Sequence, residues 1–298
     1  MDDNIVGTRK EHMEYAKDLF RAMIREGLTT PWIGQVTVNV ADDPELLELA
    51  EKSGCRGMFI GFESVSVEGL KEIKKRFNIN KDRDLVRSVT KIRQKGIIVV
   101  GSFIIGLDSD KPGIGKVVAE TAINYGVDIS TVLMLTPLPG TKLWDEMRKE
   151  GRIQADRFPE DWRHYTLCEP VAVYKHFTWK EIVLEMNDFN RKYYALHRIL
   201  YRSWRIFWNT RELIRAIYCL IGNLTSRRNN RLDYKLARKG NFEEIKWSHP
   251  SLVTAEKHDY LIRESCPPSS LRDDFSTVPG EELVVRKATE SVMAMQER

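Results

Sequence analysis

Gly96-Ile-Ile-Val-Val-Gly-Ser-Phe-Ile-Ile-Gly106 is the most apolar run in this 298-residue chain. A strand with no polar alternation is buried on both faces, which requires a sheet covered by helices. Helix-period stretches flank it, at Asp82 to Lys95 before and Gly115 to Tyr125 after. Strand, helix and strand in that order define a parallel sheet.

Moving outward, the alternation continues. Thr8 to Glu26 reads as a helix, with Tyr15, Leu19, Met23 and Ile24 on one face. Pro31 breaks the chain, and Trp32 to Val40 reads as a strand. Asp43 is the predicted N-cap of a short helix opened by Pro44 and stopped by Gly54. Gly57 to Gly61 is a short strand, Val67 to Phe77 a helix, Asp128 to Thr136 a strand and Leu143 to Lys149 a helix. Within Gln35-Val-Thr-Val-Asn-Val40, period two puts Gln35, Thr37 and Asn39 on one face and the valines on the other. The polar face fits a ligand-lined lumen or an edge strand in water, and the pattern leaves both open.

Beyond residue 150 the pattern changes. Arg152 to His176 is irregular; Thr178 to about Leu224 is helical and rich in aromatics. These include Trp179, Phe189, Tyr193, Tyr194, Tyr201, Trp204, Phe207 and Trp208. Their three- and four-residue spacing is that of a packed core face. The expected organisation is an α/β unit over 1–150, a helical extension over 151–240 and a flexible tail over 241–298.

Composition bounds the class. The chain is 42% hydrophobic and 30% charged, as in globular proteins, and has no apolar run long enough to span a membrane. Its net charge of +4 is unevenly spread: Arg198 to Lys239 holds eleven Lys or Arg against two acids, so the remainder is net negative. That block is the candidate surface for an anionic partner. Without an aromatic or Gly-rich recognition motif beside it, nucleic acid is not indicated; contact with an anionic membrane surface is an option. Cys55, Cys168, Cys219 and Cys266 are too scattered for a disulfide framework or metal motif, which suggests free thiols in a cytoplasmic setting. His164 and His176 flank Cys168 without metal-site spacing. Gly113-Ile-Gly115-Lys116 is too short for a phosphate loop, and no G-x-S-x-G or H-E-x-x-H motif occurs.

Three strand ends carry a family resemblance: Gly61-Phe-Glu-Ser64, Gly101-Ser-Phe-Ile-Ile-Gly106 and Leu135-Thr-Pro-Leu-Pro-Gly-Thr141. In this order and spacing they resemble the fourth, fifth and sixth strands of the radical S-adenosylmethionine (SAM) partial barrel. Asp2-Asp3-Asn4 resembles the end of its second strand. More narrowly, residues 1–228 resemble the radical SAM proteins that carry an N-terminal cobalamin-binding domain. The resemblance implies an incomplete radical SAM-type (β/α) TIM-like partial barrel followed by a helical extension. It also implies SAM as cofactor, a [4Fe–4S] cluster and, in some members, cobalamin. It places Ile104 to Leu107 beside adenine, Glu63 and Ser64 near the ribose or amino-acid end, and Asp3 at the methionine ammonium. With Asn39 added from the strand alternation, the candidate cofactor-binding set is Glu63, Ser64, Gly101, Ile104, Gly106, Leu135, Asn39 and Asp3.

The family holds its cluster on a C-x3-C-x2-C loop, and none occurs here. The expectation is therefore an N-terminally truncated radical SAM enzyme, inactive alone. Its parent reaction would be methyl transfer or cyclisation. The alternatives are a half-enzyme completed by a cluster-bearing partner, and a non-catalytic binding module using the basic helices.

Overall fold

The computed structural model describes residues 4–28, 30–72, 84–157 and 159–239. Asp3, the second half of the expected Val67–Phe77 helix and the expected tail at 241–298 lie outside these residues.

Four parallel strands form one open sheet in the order β1 (Trp32–Val36), β2 (Cys55–Glu63), β3 (Ile98–Ile105) and β4 (Ile129–Met134). The helices in chain order are α1 (Lys10–Arg25), α2 (Pro44–Lys52), α3 (Val67–Glu72), α4 (Leu85–Gln94), α5 (Ile114–Tyr125), α6 (Lys142–Lys149), α7 (Trp179–Tyr193), α8 (Leu196–Thr210) and α9 (Leu213–Lys239). Asp43 caps α2 as expected, accepting from the Leu46 amide at 3.0 Å. A short turn at Ala155–Trp162 groups separately, with Arg157 paired to Asp161.

The two sheet faces differ. Val36, Met58, Ile60, Phe62, Val99, Phe103, Ile105 and Val132 are buried in the main core with Val89 and Ile92 of α4 and Val118 and Ala122 of α5. Gly101 lies on this face. A side chain there would meet Val127 at 2.9 Å and the Phe62 ring at 3.1 Å, so its room is taken by packing. Register places Gln35 beside Phe59, Gly61 beside Ser102, Ser102 beside Thr131 and Ile104 beside Leu133 on the opposite, more open face. The lower part of that face is plugged: Ile98, Val100 and Ile129 pack against Ile206 of α8 and Cys219 of α9.

Strand β1 is shorter than its alternation suggested. It ends at Val36, and Val38–Asp42 turns into a 3-10 helix. The Thr37 amide and hydroxyl both go to the Val6 carbonyl, and the Asn39 amide donates to the Gly7 carbonyl at 3.1 Å. These bonds, and the contact between Thr37 Oγ1 and Asn39 Oδ1, replace a strand ladder. Val36, Val38 and Val40 remain buried; Gln35 is exposed on the open face, and Asn39 is buried at the turn.

Both sheet edges carry partners. Val6 makes an isolated parallel bridge to Val36 on the outer side of β1; Asp2 and Asp3, expected to end a strand, lie outside the described residues. On β4, the Tyr194 hydroxyl serves both the amide and the carbonyl of Ser130, and the Met134 amide donates to the Leu167 carbonyl at 2.9 Å. Tyr193 and Tyr194 are fully buried in the same core as the sheet. At the lower end of the sheet Asp128, fully buried, accepts from the Val99 amide at 3.0 Å and pairs with Arg205 at 2.8 Å and Arg93 at 3.3 Å. Burial pushes the Arg93 guanidinium below its ordinary value, against the pull of Asp128.

Candidate functional site

Parallel strands end together, so the C-terminal ends of β2, β3 and β4 form one rim, where open α/β sheets bind ligands. Glu63 closes β2 after a register shift, half-buried and with a left-handed φ of 67°. That is an unfavoured conformation for a non-glycine residue. Ser64 follows, buried, its hydroxyl accepting from the Ser66 amide at 3.2 Å. Ser66 in turn accepts from the Gly69 amide at 2.9 Å and so caps α3. Ser64 therefore shapes the turn that leads from β2 into α3.

Ile104 is half-buried on the open face, one strand from Leu133. Gly106 has φ 93°, where only glycine is comfortable. A side chain at Gly106 would strike Ile182 at 2.7 Å and Tyr174 at 2.8 Å, so the space beside it holds packed side chains. Leu135 is buried, donating its amide to Ile105 at 2.8 Å and accepting the Tyr174 hydroxyl at 3.1 Å. Glu63, Ile104, Gly106 and Leu135 are thus brought to one rim. Asn39 stands at the end of β1 with its amide committed to Gly7, and Gly101 lies on the helix-covered face.

The loop after β3 holds residues that the sequence reading passed over. Asp110 accepts from the Gly106 amide at 2.9 Å and the Leu107 amide at 3.1 Å. Burial lifts its carboxyl to about 6, with the two amides opposing. Glu72 accepts from the amides of Asp108 and Ser109 at 2.8 and 3.1 Å. Glu185 accepts from those of Gly113 and Gly115 at 2.6 and 2.8 Å. Arg152 grips Asp108 with both terminal nitrogens, at 3.0 and 2.6 Å. Three carboxylates from three segments fix one rim loop. The acid-rich Gly106-Leu-Asp-Ser-Asp110 was the available signal, but Glu72 and Glu185 reach it from remote positions.

Beyond β1, an open groove of about 720 Å³ is lined by Asn4, Ile5, Gly7, Thr8, Glu11, His12, Tyr15 and Thr37. The Asn4 Oδ1 atom is buried there with no hydrogen-bond partner, and so stands ready for a donor. This acceptor sits where the resemblance puts the ammonium group of SAM. The residues present fit the amino-acid end of that molecule.

They do not fit an iron–sulfur cluster. Cys55 and Cys219 are buried thiols pushed up to about 12 by desolvation, the wrong environment for thiolate ligands. Cys168 stands apart, and no group of three His, Cys, Asp or Glu with metal-holding geometry occurs among the described residues.

No family model matches the chain. Related proteins do. The hopanoid C-2 methylase of Rhodopseudomonas palustris (strain TIE-1) is 31% identical over 156 residues, covering 52% of this chain and 29% of that protein. The bacteriochlorophyllide d C-12(1)-methyltransferase of Chlorobaculum tepidum is 31% identical over 152 residues, 51% of this chain and 32% of that protein. Among solved structures, the radical S-adenosylmethionine methyltransferase TsrM from Kitasatospora setae, with cobalamin and a [4Fe-4S] cluster bound, gives a TM-score of 0.38 at 16% identity, covering 46% of this chain and 28% of that one. The chain is thus similar, over about half its length, to two methylating enzymes. It spans about a third of the length of the curated relatives it matches.

Proposed function

We propose that this chain carries the SAM-facing wall of a radical SAM methyltransferase, acting with a cluster-bearing segment or partner outside these residues. Relationship to two methylating enzymes at 31% identity carries the reading. When bound, SAM supplies the transferable methyl group. Glu63 would accept from its ribose or amino group, Ile104 and Leu135 would pack its adenine, and the free Asn4 oxygen would take an ammonium hydrogen. Gly106 orders this wall through its bond to Asp110.

The cobalamin link rests on the family resemblance. Cluster ligands would come from elsewhere, because Cys55 and Cys219 are buried and all the described thiols are far apart in sequence. On this reading the chain alone generates no radical. The cytoplasm, where thiols such as Cys55 persist, suits the assembled enzyme.

Titration of SAM into the isotope-labelled full chain, followed by NMR, tests the assignment. Shifts gathered at Asn4, Glu63, Ile104 and Leu135 are expected, and Glu63→Gln should weaken binding about tenfold. Shifts confined to other surfaces, or none up to solubility-limited SAM, would overturn it.

A further inference from the structure

Helix α8 buries one face and exposes another that is equally apolar. Ile199 and Ile206 point into the protein with the Arg202 guanidinium, which donates to Asn223 Oδ1 at 2.7 Å. On the opposite arc, Leu196, Leu200, Tyr201, Trp204 and Trp208 face solvent. Trp204 and Trp208 are 55% and 54% exposed and stack on one another with ring centroids 5.9 Å apart. Arg211 lies 4.0 Å over the Trp208 ring. Folding alone gives no reason to leave two tryptophans in water.

Helix α9 repeats the design. Leu213, Ile214, Ile217, Tyr218, Ile221 and Leu224 are all exposed, at the spacing of a single helical face. Two turns further on, Arg228, Arg231 and Lys235 occupy the same arc. From Leu196 to Arg231 there are eight arginines and one acid, Glu212, which pairs with Arg215 at 2.7 Å. A pocket of about 330 Å³ between α7 and α9 is lined by Asn187, Asn190, Arg191, Arg227, Asn230 and Arg231, a set of donors without a carboxylate. Among the described residues no helix is long and apolar enough to cross a membrane.

We infer that the α8–α9 hairpin docks this protein on the surface of an anionic phospholipid bilayer. Aliphatic side chains, tryptophan and tyrosine on one arc, with arginine flanking them, match the layered chemistry of the acyl boundary, the carbonyl zone and the phosphates. The near-absence of acids along the hairpin gives the charge complementarity. The Arg191, Arg227 and Arg231 pocket has the donors to take one lipid phosphate. Arg215 donates to the Gly96 carbonyl at 2.6 Å and Arg205 to the Gly126 carbonyl at 2.9 Å, both before strand starts. The hairpin turn therefore lies at the end of the sheet opposite the candidate rim. The inference is independent of the SAM assignment.

The test is co-sedimentation of the full chain with phosphatidylcholine vesicles and with vesicles of equal parts phosphatidylcholine and phosphatidylglycerol. Binding is expected to the anionic vesicles, weakening with salt, with a blue shift of tryptophan emission and quenching by brominated acyl chains. Paired Trp204→Ala and Trp208→Ala changes should lower partitioning by at least about tenfold, and Arg228→Gln with Arg231→Gln by roughly fivefold each. Both pairs are exposed, and circular dichroism will verify that the variants fold. No binding to anionic vesicles, or binding indifferent to both pairs, would overturn the inference. So would a vesicle-indifferent dimer, or a nucleic-acid complex, abolished by the same changes.

Discussion

The Asp110 carboxylate reaches back across a tight turn to the amide of Gly106, at 2.9 Å. The contact joins a sterically restricted rim glycine to a carboxyl lifted to about 6 by burial. In the folded protein Asp110 holds its proton more tightly than in the unfolded chain. The stability this contributes is full below the unfolded value near 4 and is lost as pH rises through about 6. Urea unfolding at several pH values should show the wild type losing roughly 2 to 3 kcal/mol relative to Asp110→Asn over that interval. A parallel pair of curves would refute the coupling.

At Gly115, helices α5 and α7 approach so closely that a Cβ would run into the backbone carbonyl of Glu185. Backbone cannot rotate aside as a side chain can. Gly115→Ala should destabilise by about 3 kcal/mol. It should also release the Glu185 carboxylate from the Gly113 and Gly115 amides, seen as faster hydrogen exchange there. A neutral effect on melting would contradict this packing.

Removing the fully buried Asp128 carboxylate takes the ion-pair partner from the part-buried Arg205 and Arg93 and the acceptor from the Val99 amide. Asp128→Ala is expected to cost about 3 to 5 kcal/mol, close to the whole stability of many domains. Loss of soluble expression, recovered by lower growth temperature, is the practical readout. An unchanged denaturation midpoint would exclude the cluster as a structural lock.

Tyr194 is a smaller lever. Tyr194→Phe keeps the ring in the core but withdraws the hydroxyl from both backbone groups of Ser130. A loss of about 1 to 2 kcal/mol is expected, with exchange of the Ser130 amide accelerating more than that of its neighbours on β3.

Much of this was legible in the sequence. The Ile98–Ile105 strand, the α2 cap at Asp43 and the helices at Lys10, Ile114 and Lys142 follow from apolar period and local hydrogen-bonding chemistry, which neighbours in sequence decide. Two kinds of feature did not follow. The β1 strand stopped at Val36 because Thr37 and Asn39 bond to Val6 and Gly7, residues some thirty positions away. The aromatic period of α8 read as a single core face, yet Tyr201, Trp204 and Trp208 are exposed while Ile199 and Ile206 are buried. Periodicity reveals that a helix has an apolar face and is silent on which of two such faces meets the protein. At the rim, the gathering of Glu63, Ile104, Gly106 and Leu135 came from strand order, whereas the Glu72 and Glu185 anchors depend on tertiary geometry.

The two edges of the sheet are unequal in how fully their backbone groups are occupied. On β4, Tyr194 and Leu167 occupy backbone groups that another strand would need. On β1, the bridge from Val6 to Val36 is parallel and engages the upper part of the strand, and among the described residues nothing pairs with its outer side lower down. Among the described residues, the β1 flank is thus the one with backbone groups open to a further strand, and the Val6 bridge marks where pairing on that side already begins.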